Sequence, residues 1–210
     1  MKIELLEIAG MQPALRAMRN PMDSWDKSDS TLVAKGTFGP IGFDVGEKDK
    51  DLSVRLQKAG PEHCKHLRMV MVWADITAPR FWWQEFDTYR TGVEKVSCST
   101  MHRMMARELL PGDFEGCNDN CYSGQLLKTM EYINKMIASY KASTDPDVKR
   151  RIWEYVIQIL PQSYLQKRTV MMSYAALRNI YRQREGHKLN EWHQFREWVE
   201  SLPESWMITE

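Results

Sequence analysis

The stretch LRMVMVWADI (67–76), followed directly by TAPRFWWQEF (77–86), predicts a buried strand that leads into a helix. Its first ten residues form a nearly continuous apolar run with β-branched side chains, which is typical of a strand buried on both faces of a sheet. Thr77 can cap the following helix, and Pro79 falls in the first turn, where a missing N–H costs little. The stretch therefore predicts a β-strand and an α-helix in direct succession.

The residues before this stretch predict a strand, a short helix with a loop, and a second helix. Ile3, Leu5 and Ile8 have charged residues interleaved, as in a half-buried strand, and the Pro/Asn/Asp/Ser-rich residues 12–30 indicate short helix and loop. Residues 47–59 predict an amphipathic helix that ends at Gly60-Pro61. Its apolar face is expected to carry Leu52, Leu56 and Ala59.

One glycine-rich segment, GTFGPIGFDVG (36–46), can in principle cradle a phosphate group. Its spacing fits neither the P-loop nor the dinucleotide-binding pattern. A turn or a mobile hairpin is therefore the favoured prediction for this segment.

The second half of the chain predicts helices throughout. Apolar residues at three-and-four spacing indicate a helix over 123–142, and Asp145-Pro146 can begin another that stops before Pro161. Two more helices are predicted over 166–184 and 190–201. With no internal repeat or linker, the sequence predicts a single α+β domain over residues 1–210, a small sheet flanked by a dominant helical set.

Composition narrows the class of protein. The chain has 210 residues and balances 29 basic against 28 acidic residues, so its net charge of +1 gives no reason to expect nucleic-acid or membrane binding. It has no apolar run long enough for a spanning helix, and the start does not resemble a signal peptide, so we expect a cytoplasmic protein. Its four cysteines are expected to be reduced thiols. Cys117 and Cys121 lack zinc-finger spacing, and no metal is predicted.

Two segments combine aromatic, hydroxyl and Arg/His side chains at high density: PRFWWQEFDTYRTGVEKVSCSTMHR (79–103) and LPQSYLQKRTVMMSYAALRNIYRQREGHKLNEW (160–192). Guanidinium groups bind phosphate in a fork geometry, and aromatic rings stack on bases. The two segments therefore predict an anionic, partly aromatic ligand such as a nucleotide or a flavin. In the helix predicted after Ala78, Trp82, Phe86 and Tyr89 share one face and Trp83, Asp87 and Arg90 share another.

Over about residues 60–200 the chain resembles the flavin-dependent thymidylate synthase family. That family has an A-P step, a signature R-H-R-x-x-S-x-N-x-x-S-x-R-Y, then L-P, N-x-R and a later Arg. The matching steps here are Ala78-Pro79, Thr88-Tyr89-Arg90, Ser97 to Met101, Leu160-Pro161, Ser173-Tyr174-Ala175, Leu177-Arg178-Asn179, Arg184 and Glu191-Trp192. Of the three residues of the R-H-R triplet only the last is retained, as Arg90. Ser173 and Ala175 stand where the family has the Asn and Arg of N-x-R. The chain thus looks like a divergent branch, of the kind associated with phage genomes.

The resemblance implies a homotetramer with active sites between subunits, in which FAD, NADPH and methylenetetrahydrofolate serve one-carbon transfer to C5 of dUMP. It implies catalytic roles for Arg90 and Arg178. The residues that it implies for cofactor binding are His66, Tyr89, Arg90, Asn179 and Arg184. The residues that it implies for substrate binding are Ser97, Ser99, Thr100, His102, Arg103 and Arg178.

Each of these roles has a structural alternative. Arg90 can form a surface ion pair with Asp87 or Glu94, the Ser/Thr cluster can cap a helix, and His66 can be an ordinary surface or core histidine. The basic run 178–188 can be a solvated face, since its arginines do not all share one side of a helix. At the level of function, the alternatives are a non-catalytic nucleotide-binding or nucleotide-sequestering protein on the same fold and, more weakly, a nucleic-acid-binding protein.

Overall fold

The computed structural model describes residues 1–34, 41–117 and 123–210 and has the predicted α+β class. The chain forms two compact units. The first comprises Met1–Ile3, Asp75–Thr88 and Lys95–Thr169, and the second comprises Glu4–Ala74, Tyr89–Glu94 and Val170–Glu210. A single domain over 1–210 stays a prediction.

The strands are β1 (Lys2–Ala9), β2 (Thr31–Ala34), β3 (Ile41–Asp44), β4 (Met71–Pro79), β5 (Val93–Ser97) and β6 (Leu165–Ser173). The α-helices are α1 (Met11–Met18), α2 (Glu47–Ala59), α3 (Arg80–Phe86), α4 (Thr100–Arg103), α5 (Ser123–Ala142), α6 (Pro146–Ile159), α7 (Tyr174–Gln183), α8 (Asn190–Glu200) and α9 (Trp206–Thr209). One sheet has the strand order β1–β4–β6–β5, and β2 pairs with β3 antiparallel, Thr31 opposite Asp44 and Ala34 opposite Ile41. Residues 35–40, and with them the first five residues of the possible phosphate loop 36–46, lie outside the described residues.

The prediction that a strand leads directly into a helix is confirmed, but the strand begins and ends later in the chain than predicted. Lys65–Arg68 form a 3₁₀ turn, so the strand begins at Met71 and runs through Pro79, which is itself the N-cap of α3. The prediction that Thr77 caps the helix is therefore wrong. Alternate residues of β4 are fully buried, and the residues between them are half-buried. The sequence predicted that both faces of this strand are buried, but only one face is fully buried.

The helix predicted over 166–184 is wrong in its first half. Residues Leu165–Ser173 form β6, and only Tyr174–Gln183 are helical. The strand contains Gln, Lys, Arg and Met, which favour helices in isolation, and pairing within the sheet overrides that preference. The sequence also did not predict β5. Because α3 ends at Phe86, Tyr89 and Arg90 lie beyond it and do not share its faces.

Helices α5 and α6 supply much of the core of the first unit. Ile133, Ile137 and Val156 are almost completely buried, and Met104 and Leu109 pack into the same cluster. Asp145 caps α6 as predicted, since its carboxylate accepts from the N–H groups of two residues in the first turn. The three-and-four spacing therefore identified these two helices and their buried faces correctly.

Helix α2 has the predicted bounds but buries its polar face. Asp49, Ser53 and Gln57 are the buried side chains, whereas Leu52 and Leu56 are half-buried. The predicted apolar face is therefore wrong. The polar side chains of α2 can be buried because other residues of the second unit form hydrogen bonds with them. A buried polar group is tolerated when it is hydrogen-bonded. Asp49 accepts from Arg19 Nε at 2.6 Å, Ser28 Oγ at 2.5 Å and Ser30 Oγ at 2.6 Å.

Candidate functional site

The second unit contains a cavity of about 550 Å³ beside helix α7. The cavity lies between α7, the 3₁₀ turn Lys65–Arg68 and the chain at Thr91 and Gly92. Its apolar lining is Pro61, Leu67, Met71, Ala175 and Ala176, and its polar lining includes Cys64, Arg68, Thr91, Arg178, Asn179 and Arg182. An apolar surface with a few convergent polar groups is typical of small-molecule sites.

Gly92 and Ser173 fix the wall where β6 passes into α7. Ser173 Oγ caps the helix by accepting from the N–H of Ala176 at 3.1 Å, and the Ser173 N–H donates to the Gly92 carbonyl at 2.9 Å. Gly92 has φ +70°, and a Cβ there would lie 2.6 Å from Ser173 Oγ. Only glycine allows this close approach without strain, and both residues line the cavity.

The cavity is cationic. Among the described residues that line it, Arg68, Arg178 and Arg182 carry charge and none is acidic. Arg178 Nη2 and Arg182 Nη2 donate to the same atom, the main-chain oxygen of Glu210, at 2.9 and 2.7 Å. Burial first, and then the neighbouring Arg182, lower the pKa of Arg178. Two positive charges therefore lie close together on this wall of the cavity.

Arg68 is an exposed guanidinium, and its side chain has no hydrogen bond or ion pair with any residue that the structure describes. It is therefore available to a ligand in the cavity. Asn179 is exposed, and its Oδ1 accepts a hydrogen bond from Gln183 at 2.9 Å. Its NH₂ group can therefore donate to a ligand in the cavity, as the Arg68 guanidinium can.

The thiol of Cys64 is not prepared for nucleophilic chemistry. It is buried and donates to the Gly60 carbonyl at 3.2 Å, while Arg178 Nη1 lies 4.0 Å from its sulfur. Burial raises the pKa of Cys64 in spite of the nearby arginine. A neutral thiol is a poor nucleophile, so Cys64 serves as a polar wall of the cavity.

His66 lies behind the cavity rather than on its surface. It is 3% exposed, and its Nε2 lies 2.8 Å from Ser53 Oγ. Its Nδ1 is buried and makes no hydrogen bond with any residue that the structure describes. Burial lowers the pKa of His66 to about 4, which the nearby His63 carbonyl offsets only in part. The histidine is therefore neutral at pH 7 and belongs to the core, as in its structural alternative.

Tyr89 and Arg184, both predicted for cofactor binding, contact each other. Arg184 Nε donates to Tyr89 Oη at 2.8 Å, and the guanidinium lies 4.2 Å from the ring centre of Trp192. Arg90 is exposed, with no side-chain hydrogen bond or ion pair to the described residues. The alternative partner Asp87 is bound instead by Lys95 and Arg168.

The predicted substrate residues Ser97, Ser99, Thr100, His102 and Arg103 all belong to the first unit. Ser99 caps α4 by accepting from the His102 N–H at 3.2 Å, as its structural alternative predicts. Ser99 and Arg103 also border a second cavity of about 650 Å³, in the first unit.

Of the predicted site residues, Arg178 and Asn179 lie together on the main cavity of the second unit. Arg68, Gly92 and Arg182 were not predicted as site residues from the sequence, and Arg182 entered only as part of the basic run 178–188. The turn-to-turn spacing of Arg178 and Arg182 was a usable signal, because residues four apart on a helix are neighbours. Arg68 had no such signal.

No group of three or more His, Cys, Asp and Glu residues in the described part of the chain is placed to hold a metal ion, and Cys121 lies outside that part. Within the same residues, no helix has the length and apolar character needed to cross a membrane.

The element order and sheet define the fold of flavin-dependent thymidylate synthases. Two solved structures of the enzyme ThyX from Helicobacter pylori, both with FAD and dUMP, match this chain with a TM-score of 0.70. The matches cover 100% of this chain and 98% of those chains, at 16% sequence identity. No family model matches the sequence, and no curated protein matches it. At this identity the likeness establishes the fold.

Proposed function

We propose that this chain is a thymidylate synthase-like enzyme that transfers a one-carbon unit to C5 of a pyrimidine deoxynucleotide monophosphate such as dUMP. The proposal includes dependence on FAD, NADPH and methylenetetrahydrofolate, a homotetramer with sites between subunits, and a cytoplasmic, phage-type member of the fold. Its support is the full-length likeness to proteins solved with FAD and dUMP, together with the cationic cavity.

The observation that carries the proposal is the convergence of Arg178 and Arg182, which both line the cavity of about 550 Å³, on one oxygen atom of Glu210. A phosphate group offers several oxygens to such a pair, and charge-assisted bonds of this kind are the strong ones. The apolar surface of Leu67, Met71 and Ala175 then receives the flat face of a base. A nucleotide is the simplest ligand with both features.

The predicted flavin residues do not converge within the unit that holds them. Asn179 lies on the cavity, His66 lies in the core, Arg90 is exposed, and Tyr89 and Arg184 bind each other. These five residues of one chain therefore do not form an FAD site by themselves. In the proposal, a second subunit supplies the missing contacts.

The chain's own residues supply positioning and charge. Arg178 and Arg182 fix the phosphate, the amide of Asn179 and the hydroxyl of Thr91 can hydrogen-bond the base or sugar, and the neutral Cys64 thiol adds no negative charge. Binding energy used in this way orients the substrate for reaction.

The test is the purified protein with and without added FAD. An enzyme of this kind is yellow and releases tritium from C5-labelled dUMP when methylenetetrahydrofolate and a reductant are supplied. A colourless protein that takes up no FAD at any concentration overturns the flavoenzyme proposal. A tetramer mass by light scattering supports the proposed assembly, and a monomer mass contradicts it.

The second candidate is a nucleotide-binding protein without catalysis. The observation in its favour is the Arg184–Tyr89 contact, in which two residues predicted for the cofactor are occupied by each other. This candidate predicts a colourless protein that binds dUMP by calorimetry and releases no tritium. Arg55→Gln is a control for calorimetry, since Arg55 is an exposed arginine of the same unit, lies outside the cavity and pairs with Asp51.

A further inference from the structure

The second unit contains another cavity, of about 330 Å³, which we call the α1 cavity. It lies between helix α1, the turn Trp25–Lys27 and the paired strands β2 and β3. The described residues that line it are all different from those that line the cavity beside α7. Its volume is at the lower end of the range for small-molecule sites.

One wall of the α1 cavity is apolar and partly exposed. Leu32 and Phe43 are opposite each other in the β2–β3 pair, so their side chains lie on the same face, and Leu32 is 57% exposed. The indole of Trp25 is 39% exposed, and its Nε1 donates to Asn20 Oδ1 at 2.8 Å, which fixes the ring. Exposed apolar side chains that border one cavity are typical of a binding surface. This wall therefore favours a ligand with an apolar body.

Arg16 gives the α1 cavity one uncommitted positive charge. Its guanidinium lies 5.1 Å from the centre of the Trp25 ring, and its side chain has no hydrogen bond or ion pair with any residue that the structure describes. An aromatic face holds a guanidinium in place and leaves the N–H groups at its edge free to donate. Gln12 is exposed one turn earlier on α1, and its amide can add a further donor.

The other charges at the α1 cavity are bound to each other. Arg19 also lines the cavity, but its Nε donates to Asp49, and Ser28 and Ser30 donate to the same carboxylate. None of the described lining residues is acidic. A ligand with an ammonium group therefore finds no counter-charge here, and a ligand with two negative charges finds only one uncommitted arginine.

We propose that the α1 cavity binds a monocarboxylate that has an apolar body and no ammonium group. The carboxylate accepts two parallel N–H groups from Arg16, which is the fork geometry that suits this pair of groups. The apolar body lies against Leu32, Phe43 and Trp25 and removes their exposed surface from water. This site is separate from the cavity of the proposed function and does not depend on it.

Three ligands that share one indole ring test which charge the site prefers. They are indole-3-propionate, its neutral alcohol indole-3-propanol, and tryptophan, which differs from the propionate only by its ammonium group. Calorimetry on the full chain at pH 7, where the carboxylates are ionised, should give the tightest binding for indole-3-propionate. The alcohol should bind about tenfold more weakly or worse, because it lacks the charge-assisted contact, and tryptophan should also bind more weakly than the propionate.

Two results with these ligands overturn the proposal. One is equal affinity for the three indoles, since the site would then not distinguish charge. The other is the absence of binding at about 10 mM by both indole-3-propionate and hexanoate, which carries the same charge on an aliphatic body.

Variants at the two walls separate the charged contact from the apolar one. Arg16→Gln should weaken indole-3-propionate by about tenfold and leave the alcohol unchanged, and Arg16→Lys should restore only part, because an ammonium lacks the fork. Leu32→Ala should weaken both ligands. Arg55→Gln removes an exposed arginine outside the α1 cavity and should behave as the wild type does. Unchanged propionate binding in either Arg16→Gln or Leu32→Ala overturns the proposal, and melting curves confirm that each variant is folded.

The cationic cavity beside α7 is the other place where a carboxylate can bind. Arg182→Gln removes a charge from that cavity and none from the α1 cavity, so it should leave the affinity for indole-3-propionate unchanged. A loss of binding in Arg182→Gln with none in Arg16→Gln would place the ligand beside α7 and overturn the proposal.

Discussion

Asp49 is the buried charge on which the second unit most depends. Burial alone would raise the pKa of its carboxyl, but hydrogen bonds from Ser28, Ser30 and Arg19 together hold that pKa below its usual value. We expect Asp49→Asn to destabilise the protein by about 3–5 kcal/mol, because it leaves the Arg19 guanidinium buried without its counter-charge. Urea unfolding at pH 7 measures this.

The same carboxylate gives a signed pH dependence. A folded-state pKa below the unfolded value of about 3.9 stabilises the protein above that pH, and the contribution is lost as the pH falls through the folded pKa. The wild type should therefore lose more stability below pH 4 than Asp49→Asn does. Equal losses would show that Asp49 is not a source of acid sensitivity.

His66 is a second source of acid sensitivity, because its folded pKa of about 4 also lies below its ordinary value. As the pH falls below about 6.5, the unfolded chain binds a proton that the folded chain does not, so stability is complete above this pH and declines below it. We expect a loss of about 1.5 kcal/mol between pH 6.5 and pH 5. His66→Gln should remove this slope in urea titrations, and the exposed His63→Gln should keep it. A slope that survives in His66→Gln contradicts the assignment.

Among individual residues, Arg178 and Asn179 were predicted as site residues from the family resemblance, and both line the cavity beside α7. The sequence did not predict that Tyr89 binds Arg184, because the two lie 95 positions apart. Nor did it predict that Ser53 holds His66 in the core, since a histidine's partner depends on which helix face is turned inward.

Among the secondary-structure elements, the start of α7 depends on Ser173 and Gly92. Ser173→Ala removes the N-cap and should cost about 1 kcal/mol. Gly92→Ala should cost more than about 2 kcal/mol, because it combines a φ of +70° with a Cβ only 2.6 Å from Ser173 Oγ.

The double variant separates these effects. In the Ser173→Ala background the clash is gone and only the backbone strain remains, so Gly92→Ala should then cost less. A coupling of about 0.5 kcal/mol or more in a urea-unfolding cycle is expected. Strictly additive effects would show that the two side chains do not meet.

The elements that the sequence predicted well are those whose own residues specify them. Helices α5 and α6 have an unbroken three-and-four apolar pattern, and α6 also has an N-cap. Strand β6 was missed because its residues favour a helix in isolation and are held extended by sheet pairing. The buried face of α2 was wrong because its polar residues find partners that its own sequence does not contain.

For the whole molecule, the division into units falls inside strands. Residues 71–74 of β4 belong to the second unit and residues 75–79 to the first, and β1 and β6 are divided in the same way. A single domain was predicted from the absence of any linker, and no Pro/Gly-rich or polar linker marks these boundaries. Compact units within a chain are separate domains only if each keeps its own elements intact when the other is lost.

A strand that belongs to both units cannot unfold in one and remain whole in the other, so we expect the two units to unfold together. Urea titrations followed by tryptophan fluorescence and by far-ultraviolet circular dichroism should coincide in one transition, with tryptophans reporting from both units, such as Trp82 and Trp192. The first unit contains Trp82, Trp83 and Trp153, and the other five tryptophans belong to the second unit, so the fluorescence signal reports on the unfolding of both units. Two separated transitions would show that the units are independent domains in spite of their shared strands. Each unit would then have its own free energy of unfolding, independent of the other unit.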